Sequence, residues 1–405
     1  MISRRTKVRG AIFIALLFLF IAIANRIKPF SHQSVSKDLL AQALEDSGFV
    51  EEFPKEIDLL LDQKVTRVQL QYSFDSPLQE YMENLFHSYQ PDYGAFVALD
   101  PVTGRILSLV SYTLRSPHVS EEKENLALKA SFPSASVFKI VTAAAAIAEK
   151  NFTANTVIPF NGSNHTLFRS NILKTNLTRW TRYMTLKDAF AKSVNTVFGK
   201  IGVYSVGSEN LRHYADRFGF NRKISSDMPL QVGKAPIPEN SWELAETASG
   251  FTPDNTMSPL QGALIASAVV NNGVMMEPYI VQSVISATQP IYFAEPKIAS
   301  LSVDSTTAGE IRSLMRETIR KGTSQRSFRG FFRGNFSSID VGGKTGSLTG
   351  KNPAGKYDWF IGYAEKDHKP IALAVLTVHK KFWKVKSSYL ARRAIERYYI
   401  ETQSH

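Results

Sequence analysis

Three short groups of residues carry chemistry in this chain of 405 residues. Ser136 and Lys139 stand three apart at the head of an alanine-rich run that extends to Ala148. If that run is helical, the hydroxyl and the amine meet on one face of its first turn. A serine hydroxyl is a weak nucleophile until a neighbour takes its proton, and a neutral lysine can do so. Partial burial and a second positive charge would both lower the pKa of Lys139. Lys344 offers that charge. Ser193 and Asn195 add a hydroxyl able to relay a proton and an amide able to hold a peptide backbone. Lys344, Thr345 and Ser347 offer a cation and hydroxyls to a terminal carboxylate, and Gly346 leaves room for a substrate to lie alongside the strand.

Each group is ordinary by itself. The Ser-x-x-Lys spacing recurs at Ser34 to Lys37 and at Ser120 to Lys123, and Ser-x-Asn recurs at Ser208 to Asn210. Neither rival lysine has an apolar helix behind it, and Glu121, Glu122 and Glu124 would keep Lys123 protonated.

The elements that must position these residues follow from periodicity. Thr66 to Phe74 alternates as a half-buried strand, and Asp75 or Ser76 caps a helix presenting Leu78, Met82, Leu85 and Phe86. Gly94 to Ser111 reads as a hairpin about Asp100 to Gly104. Thr185 caps a helix that stops at Ser193 to Asn195 and resumes to Gly202. Further helices are expected at 210–218, 260–271 and 306–321, strands at 339–347, 359–364 and 371–378, and a closing helix at 387–400. The basic aromatic segment from Arg326 to Arg333 reads as a solvated loop whose phenylalanines return to the core. This order predicts an α/β (α+β) fold: a central antiparallel sheet from both chain ends, flanked by helices, with a mostly helical subdomain inserted.

Composition bounds the setting. A hydrophobic share of 43% with 26 Phe supports a sizeable core. There is no cysteine, so thiol catalysis and disulfides are excluded, and the 8 His form no zinc-hydrolase pattern. Arg4, Arg5, Lys7 and Arg9 precede an apolar run from Gly10 to Ala24. The expected organisation is a cytoplasmic tail at 1–9, a transmembrane signal-anchor in the bacterial cell (inner) membrane at 10–25, a short periplasmic linker at 26–64 and one domain at 65–405. Ala22-Ile-Ala24 is the alternative, a cleavage site that would release a secreted protein. With the working part exported, the formal charge of +12 points to lipid head groups or anionic wall polymers, not to nucleic acid.

In order and spacing, the three groups resemble the transpeptidase domain of penicillin-binding proteins, which has the β-lactamase/transpeptidase-like fold. Supporting stretches are Leu99 to Gly104, Ser193 to Phe198, Thr256 to Gln261, Gly322-Thr323 and Asp358 to Tyr363. The resemblance implies acyl transfer. Ser136 would attack the D-Ala-D-Ala bond of a peptidoglycan stem peptide, and an amine of a neighbouring stem would take the acyl group. β-Lactams would acylate the same serine. Lys139, Ser193, Asn195 and Lys344 would complete the catalytic set, with Thr345, Gly346 and Ser347 binding substrate. The backbone N–H groups of Ser136 and Ser347 would form the oxyanion hole. No cofactor and no metal is implied, and the partner expected is a membrane glycan polymerase.

Departures narrow this reading. Ser193-Val-Asn195 replaces the Ser-Asp-Asn of class A β-lactamases, and the chain has no Glu-x-x-Leu-Asn to position a deacylating water. Pro133-Ser-Ala-Ser136 replaces the family's Pro-Gly-Ser entry turn. The roughly forty residues between the apolar segment and Thr66 are too few for a glycosyltransferase domain. The alternatives are a D,D-carboxypeptidase or β-lactamase-type hydrolase, and a non-catalytic scaffold or β-lactam sensor.

Overall fold

The computed structural model describes residues 35–49, 53–114, 124–174 and 176–401. Its frame is a five-stranded antiparallel sheet joining both ends of the chain. The N-terminal part supplies β3 (Tyr93–Leu99) and β4 (Ile106–Thr113), while the C-terminal part supplies β13 (Asp340–Lys351), β14 (Ala354–Lys366) and β15 (Lys369–His379), in the order β13-β14-β15-β3-β4. Val97 of β3 stands opposite Ala374 of β15, so the two ends close at the centre.

Ahead of this frame come α1 (Lys37–Asp46), β1 (Glu56–Leu61), β2 (Lys64–Tyr72) and α2 (Ser76–Tyr89). Asp75 caps α2 as expected, its carboxylate accepting from the Leu78 N–H. The sequence reading puts a linker over 26–64. Within that span α1 and β1 instead pack into the fold: Leu40 and Leu44 of α1 and Ile57 and Leu59 of β1 are buried, and β1 pairs with β2. The cause is the alternation in Glu56-Ile-Asp-Leu, which buries one side of β1 under charged neighbours, and the Lys37–Glu277 ion pair at 2.9 Å.

The inserted subdomain follows. Phe132–Pro133 (β5) leads to a 3₁₀ turn at Ala135–Phe138 and then α3 (Lys139–Lys150). Next come β6 (Val157–Phe160), α4 (Arg169–Leu173), β7 (Arg182–Thr185), α5 (Leu186–Ala191), α6 (Asn195–Ile201), a π-helical turn at Gly202–Val206, α7 (Gly207–Arg217) and α8 (Ser241–Ser249). The chain returns through β8 (Thr256–Met257) and α9 (Pro259–Val270). β9 (Val274–Met276), β10 (Val281–Ser286), β11 (Gln289–Phe293) and β12 (Ile298–Leu301) then build the small sheets, with β10 joining β2. After these come α10 (Ser305–Arg320) and, beyond β15, α11 (Ser387–Glu401).

Every residue of α9 is buried. A helix apolar all round must be covered on all sides. It lies on the sheet and packs against β15, β14, β3 and α10. The opposite face of the sheet is covered by α2 and α11, around Phe86, Phe96, Phe360 and Leu390. Phe328 and Phe331 join this second core, as the loop reading of 326–333 expects.

One glycine fixes how the helical part meets the 3₁₀ turn. Gly250 ends α8 at φ +64°, and a Cβ placed there would lie 2.0 Å from the Ala135 carbonyl oxygen. Gly330 has a similar φ of +76° but nothing within 4 Å. Gly330→Ala therefore costs only the left-handed penalty, about 1–2 kcal/mol. Gly250→Ala is expected to cost at least about 1 kcal/mol more, because backbone must move. Thermal melts of the two variants check this, and equal losses would contradict it.

Candidate active site

The 3₁₀ turn brings Ser136 and Lys139 together more directly than an α-turn would, because residues three apart eclipse at three residues per turn. Lys139 Nζ lies 2.8 Å from Ser136 Oγ. The entry to the turn is pinned twice. The Trp359 indole N–H donates to the Pro133 carbonyl at 2.9 Å, and the Ser134 N–H donates to the Asn255 carbonyl at 2.7 Å. Ala135 follows them at φ +49°, a conformation that suits glycine and that a non-glycine residue holds only when its surroundings impose it. The departure from Pro-Gly-Ser therefore leaves the turn's shape in place, with alanine in the glycine conformation.

Ser193 is the end of a helix turned to another use. It has φ +55°, and its N–H and that of Val194 return to the carbonyls of Phe190 and Ala189, closing α5 before α6 begins. Asn195 opens α6 with a fixed amide. Its Nδ2 donates to the His165 carbonyl at 2.9 Å, which turns Oδ1 towards Lys139 Nζ at 2.8 Å. Lys139 also donates to the Ser249 carbonyl oxygen at the end of α8.

This set of partners determines what the amine can do. As an ammonium, Lys139 donates to Ser136 Oγ, Asn195 Oδ1 and Ser249 O. As a neutral amine it has two N–H bonds and one lone pair. Two partners are carbonyl oxygens that can only accept, so the lone pair falls to the Ser136 hydroxyl, the one partner able to donate. Burial, and secondarily the charge of Lys344, holds the Lys139 pKa well below the ordinary lysine range. The Phe198 ring, with its centre 5.7 Å from Nζ, supplies the apolar wall.

Lys344 is placed differently from what its spacing suggests. It is fully buried, donates to Ser193 Oγ at 3.1 Å and to the Thr345 carbonyl at 2.9 Å, and is pushed down to about 7 by burial. It thus stands behind Ser193, within reach of the relay hydroxyl. Gly346 is likewise committed. A Cβ there would meet Ser134 O at 3.1 Å and the Val137 and Ala135 side chains at 3.2 and 3.3 Å, so its missing side chain lets β13 lie against the serine turn.

Ser136, Ser193, Asn195, Thr345, Gly346 and Ser347 line one cleft of about 640 Å³, and neither Lys139 nor Lys344 reaches its surface. The Thr323 hydroxyl, 2.5 Å from that of Thr345, extends the polar wall. Ser34, Ser120 and Lys123 of the rival spacings lie outside the described residues, as do residues 10–25. Lys37 is occupied by Glu277. Among the described residues no helix is long and apolar enough to cross a membrane. The sequence reading missed Ser249 and Gly250, since a carbonyl acceptor carries no residue-type signal, although Gly after a short apolar helix marks a C-cap. It also missed Arg326 and Lys386 as cleft residues.

Residues 94–396 match the family model described as the penicillin binding protein transpeptidase domain. The chain is 29% identical over 327 residues to the peptidoglycan D,D-transpeptidase PbpA of Mycobacterium tuberculosis, covering 71% of this chain and 62% of that protein. It is 27% identical over 337 residues to the stage V sporulation protein D of Bacillus subtilis, covering 78% and 50%. Thus it spans less than two thirds of each. Among solved structures, the D,D-transpeptidase domain of a peptidoglycan glycosyltransferase from Eggerthella lenta superposes with a TM-score of 0.67 at 25% identity, covering 83% of this chain and 84% of that one. The penicillin G acyl-enzyme complex of penicillin-binding protein A from M. tuberculosis gives 0.63 at 26% identity, with 84% and 81% covered. With the sheet, the serine turn and the matched span in agreement, this chain belongs to the penicillin-binding protein transpeptidase family.

Proposed function

We propose that this chain is a peptidoglycan D,D-transpeptidase, working outside the cytoplasm from a membrane anchor formed by residues 10–25, on glycan strands made by a separate membrane polymerase. The observation that carries the reading is the Ser136–Lys139 contact at 2.8 Å, with the other Lys139 contacts going to carbonyl oxygens. Ser136 Oγ attacks the carbonyl of the penultimate D-Ala of a donor stem while its proton passes to Lys139 Nζ. The tetrahedral adduct collapses as the proton moves through Ser193, held by Lys344, to the departing D-Ala nitrogen. An acceptor amine then attacks the Ser136 ester and gives its proton to Lys139; the acyl–Oγ bond breaks, Ser136 Oγ takes that proton back from Lys139, and the acceptor leaves joined to the donor by a new amide.

The cleft lends little support to hydrolysis of the β-lactamase type. Among the described residues, Asp358 is the single carboxylate lining it, and that group is already engaged by the Ser387 N–H at 2.8 Å and by Lys386 at 3.6 Å. A class A β-lactamase activates its deacylating water with a carboxylate, and among the described residues no unengaged carboxylate lines the cleft to serve as one. This sets β-lactamase-type hydrolysis below transfer.

Two outcomes are expected. A fluorescent penicillin labels the wild type covalently, labels Ser34→Ala equally, and fails to label Ser136→Ala. An unlabelled wild type would remove the reading. With labelling secured, a stem pentapeptide plus acceptor amine yields cross-linked product in excess of hydrolysed tetrapeptide.

The pH dependence follows from the two lysines. Lys139 must be neutral to act, so acylation rises with pH through its lowered pKa. Lys344 loses its charge near 7, and with it the ammonium that holds the Ser193 hydroxyl for proton relay, so acylation falls on the alkaline side. A bell-shaped profile of the second-order acylation constant is expected. Lys344→Gln should move its acid limb to higher pH and abolish the alkaline limb. An acid limb that stays in place would show that the two groups do not interact.

A further inference from the structure

A donor peptide ends in a carboxylate, and Lys344 is not free to meet it. Its ammonium is fully buried, is held by Ser193 and the Thr345 carbonyl, and does not line the cleft. Near neutral pH it also carries only part of a charge. The hydroxyls of Thr323, Thr345 and Ser347 do line the cleft but are uncharged. A carboxylate leaving water for this wall needs a full cation within contact.

Two exposed cations line the same cleft, and they differ in availability. Lys386 lies 3.3 Å from the centre of the Trp383 ring and 3.6 Å from Asp358, so its charge is already matched. Arg326 has no ion pair and no hydrogen bond from its guanidinium among the described residues. Its base is nonetheless fixed. The Gln325 N–H returns to the Gly322 carbonyl at 3.2 Å, Ser327 Oγ meets Ser388 Oγ at 2.7 Å, and Phe328 is buried against Phe360. A guanidinium stays protonated at every working pH and presents a fork that matches a carboxylate. Arg326 belongs to the same short turn as Thr323, whose hydroxyl touches that of Thr345.

We propose that Arg326 is the cation that receives the terminal carboxylate of the donor, alongside the hydroxyls of Thr323, Thr345 and Ser347, and so selects substrates bearing that group. This rests on the reading of Ser136 as the acylated serine. In this division of labour Lys344 tunes Lys139 and holds Ser193, while Arg326 determines which molecules enter.

The test compares second-order acylation constants for benzylpenicillin and for its methyl ester, which lacks the anionic charge. The wild type should prefer the carboxylate form. In Arg326→Gln that preference should fall about ten-fold, nearly all of it from the carboxylate arm. Arg326→Lys should restore part of it, since it keeps the charge and loses the fork. Arg329→Gln removes the same charge from the same loop outside the cleft, and should leave the preference within about two-fold. An Arg326→Gln protein that loses both compounds equally, or keeps the wild-type preference, overturns the assignment. A wild type acylated by neither compound removes the reading of Ser136, and this inference with it.

Discussion

The structure depends on keeping one amine dry. Lys139 is fully buried, yet its nitrogen has three oxygen partners, drawn from the serine turn, from α6 and from the end of α8. Burial drives the proton off, and the carbonyl partners orient what remains. Each partner is itself placed by another contact: Asn195 by the His165 carbonyl, and the serine turn by Trp359, Asn255 and Gly250. Loss of any of these leaves a buried polar nitrogen short of partners, which costs about 1–3 kcal/mol. The geometry of the nucleophile and the integrity of the fold are therefore one problem.

Two non-glycine residues in left-handed conformations flank this amine, Ala135 before the nucleophile and Ser193 at the relay. Such conformations cost of order 1–3 kcal/mol each and persist where surroundings over-determine them. Here those surroundings are the edge of β13 at Gly346 on one side and the α5–α6 junction on the other. The strain holds both hydroxyls facing the cleft.

Much of this was legible in the sequence, for identifiable reasons. Side chains with chemical character stand out in type and spacing, so Ser136, Lys139, Ser193 and Asn195 could be paired before any fold was known. Strands with one dry side, such as Thr66 to Tyr72, announce themselves by alternation. Backbone groups do not. The Ser249 carbonyl, the φ of Ala135 and the close approach at Gly250 depend on what the chain meets far away in sequence. Lys344 shows the same limit in another way, since its residue type suggests a ligand contact and only packing reveals that it faces inward. β1 stayed hidden because half its residues are charged or exposed, and its partner, not its composition, makes it a strand.

The meeting of Val97 with Ala374 at the middle of the sheet has a consequence for how the chain acquires its shape. A chain emerging from its N-terminus makes the β3–β4 hairpin early, but the edge of β3 finds β15 only after nearly all the intervening sequence has appeared. Closing so large a loop is entropically expensive and slow, and topologies dominated by distant pairings fold late. Until then β3, whose residues are all buried in the finished protein, presents an unpaired apolar edge. The interval before closure is thus when this protein is most exposed to aggregation and to proteases, and a helper that shields a nascent strand would act there.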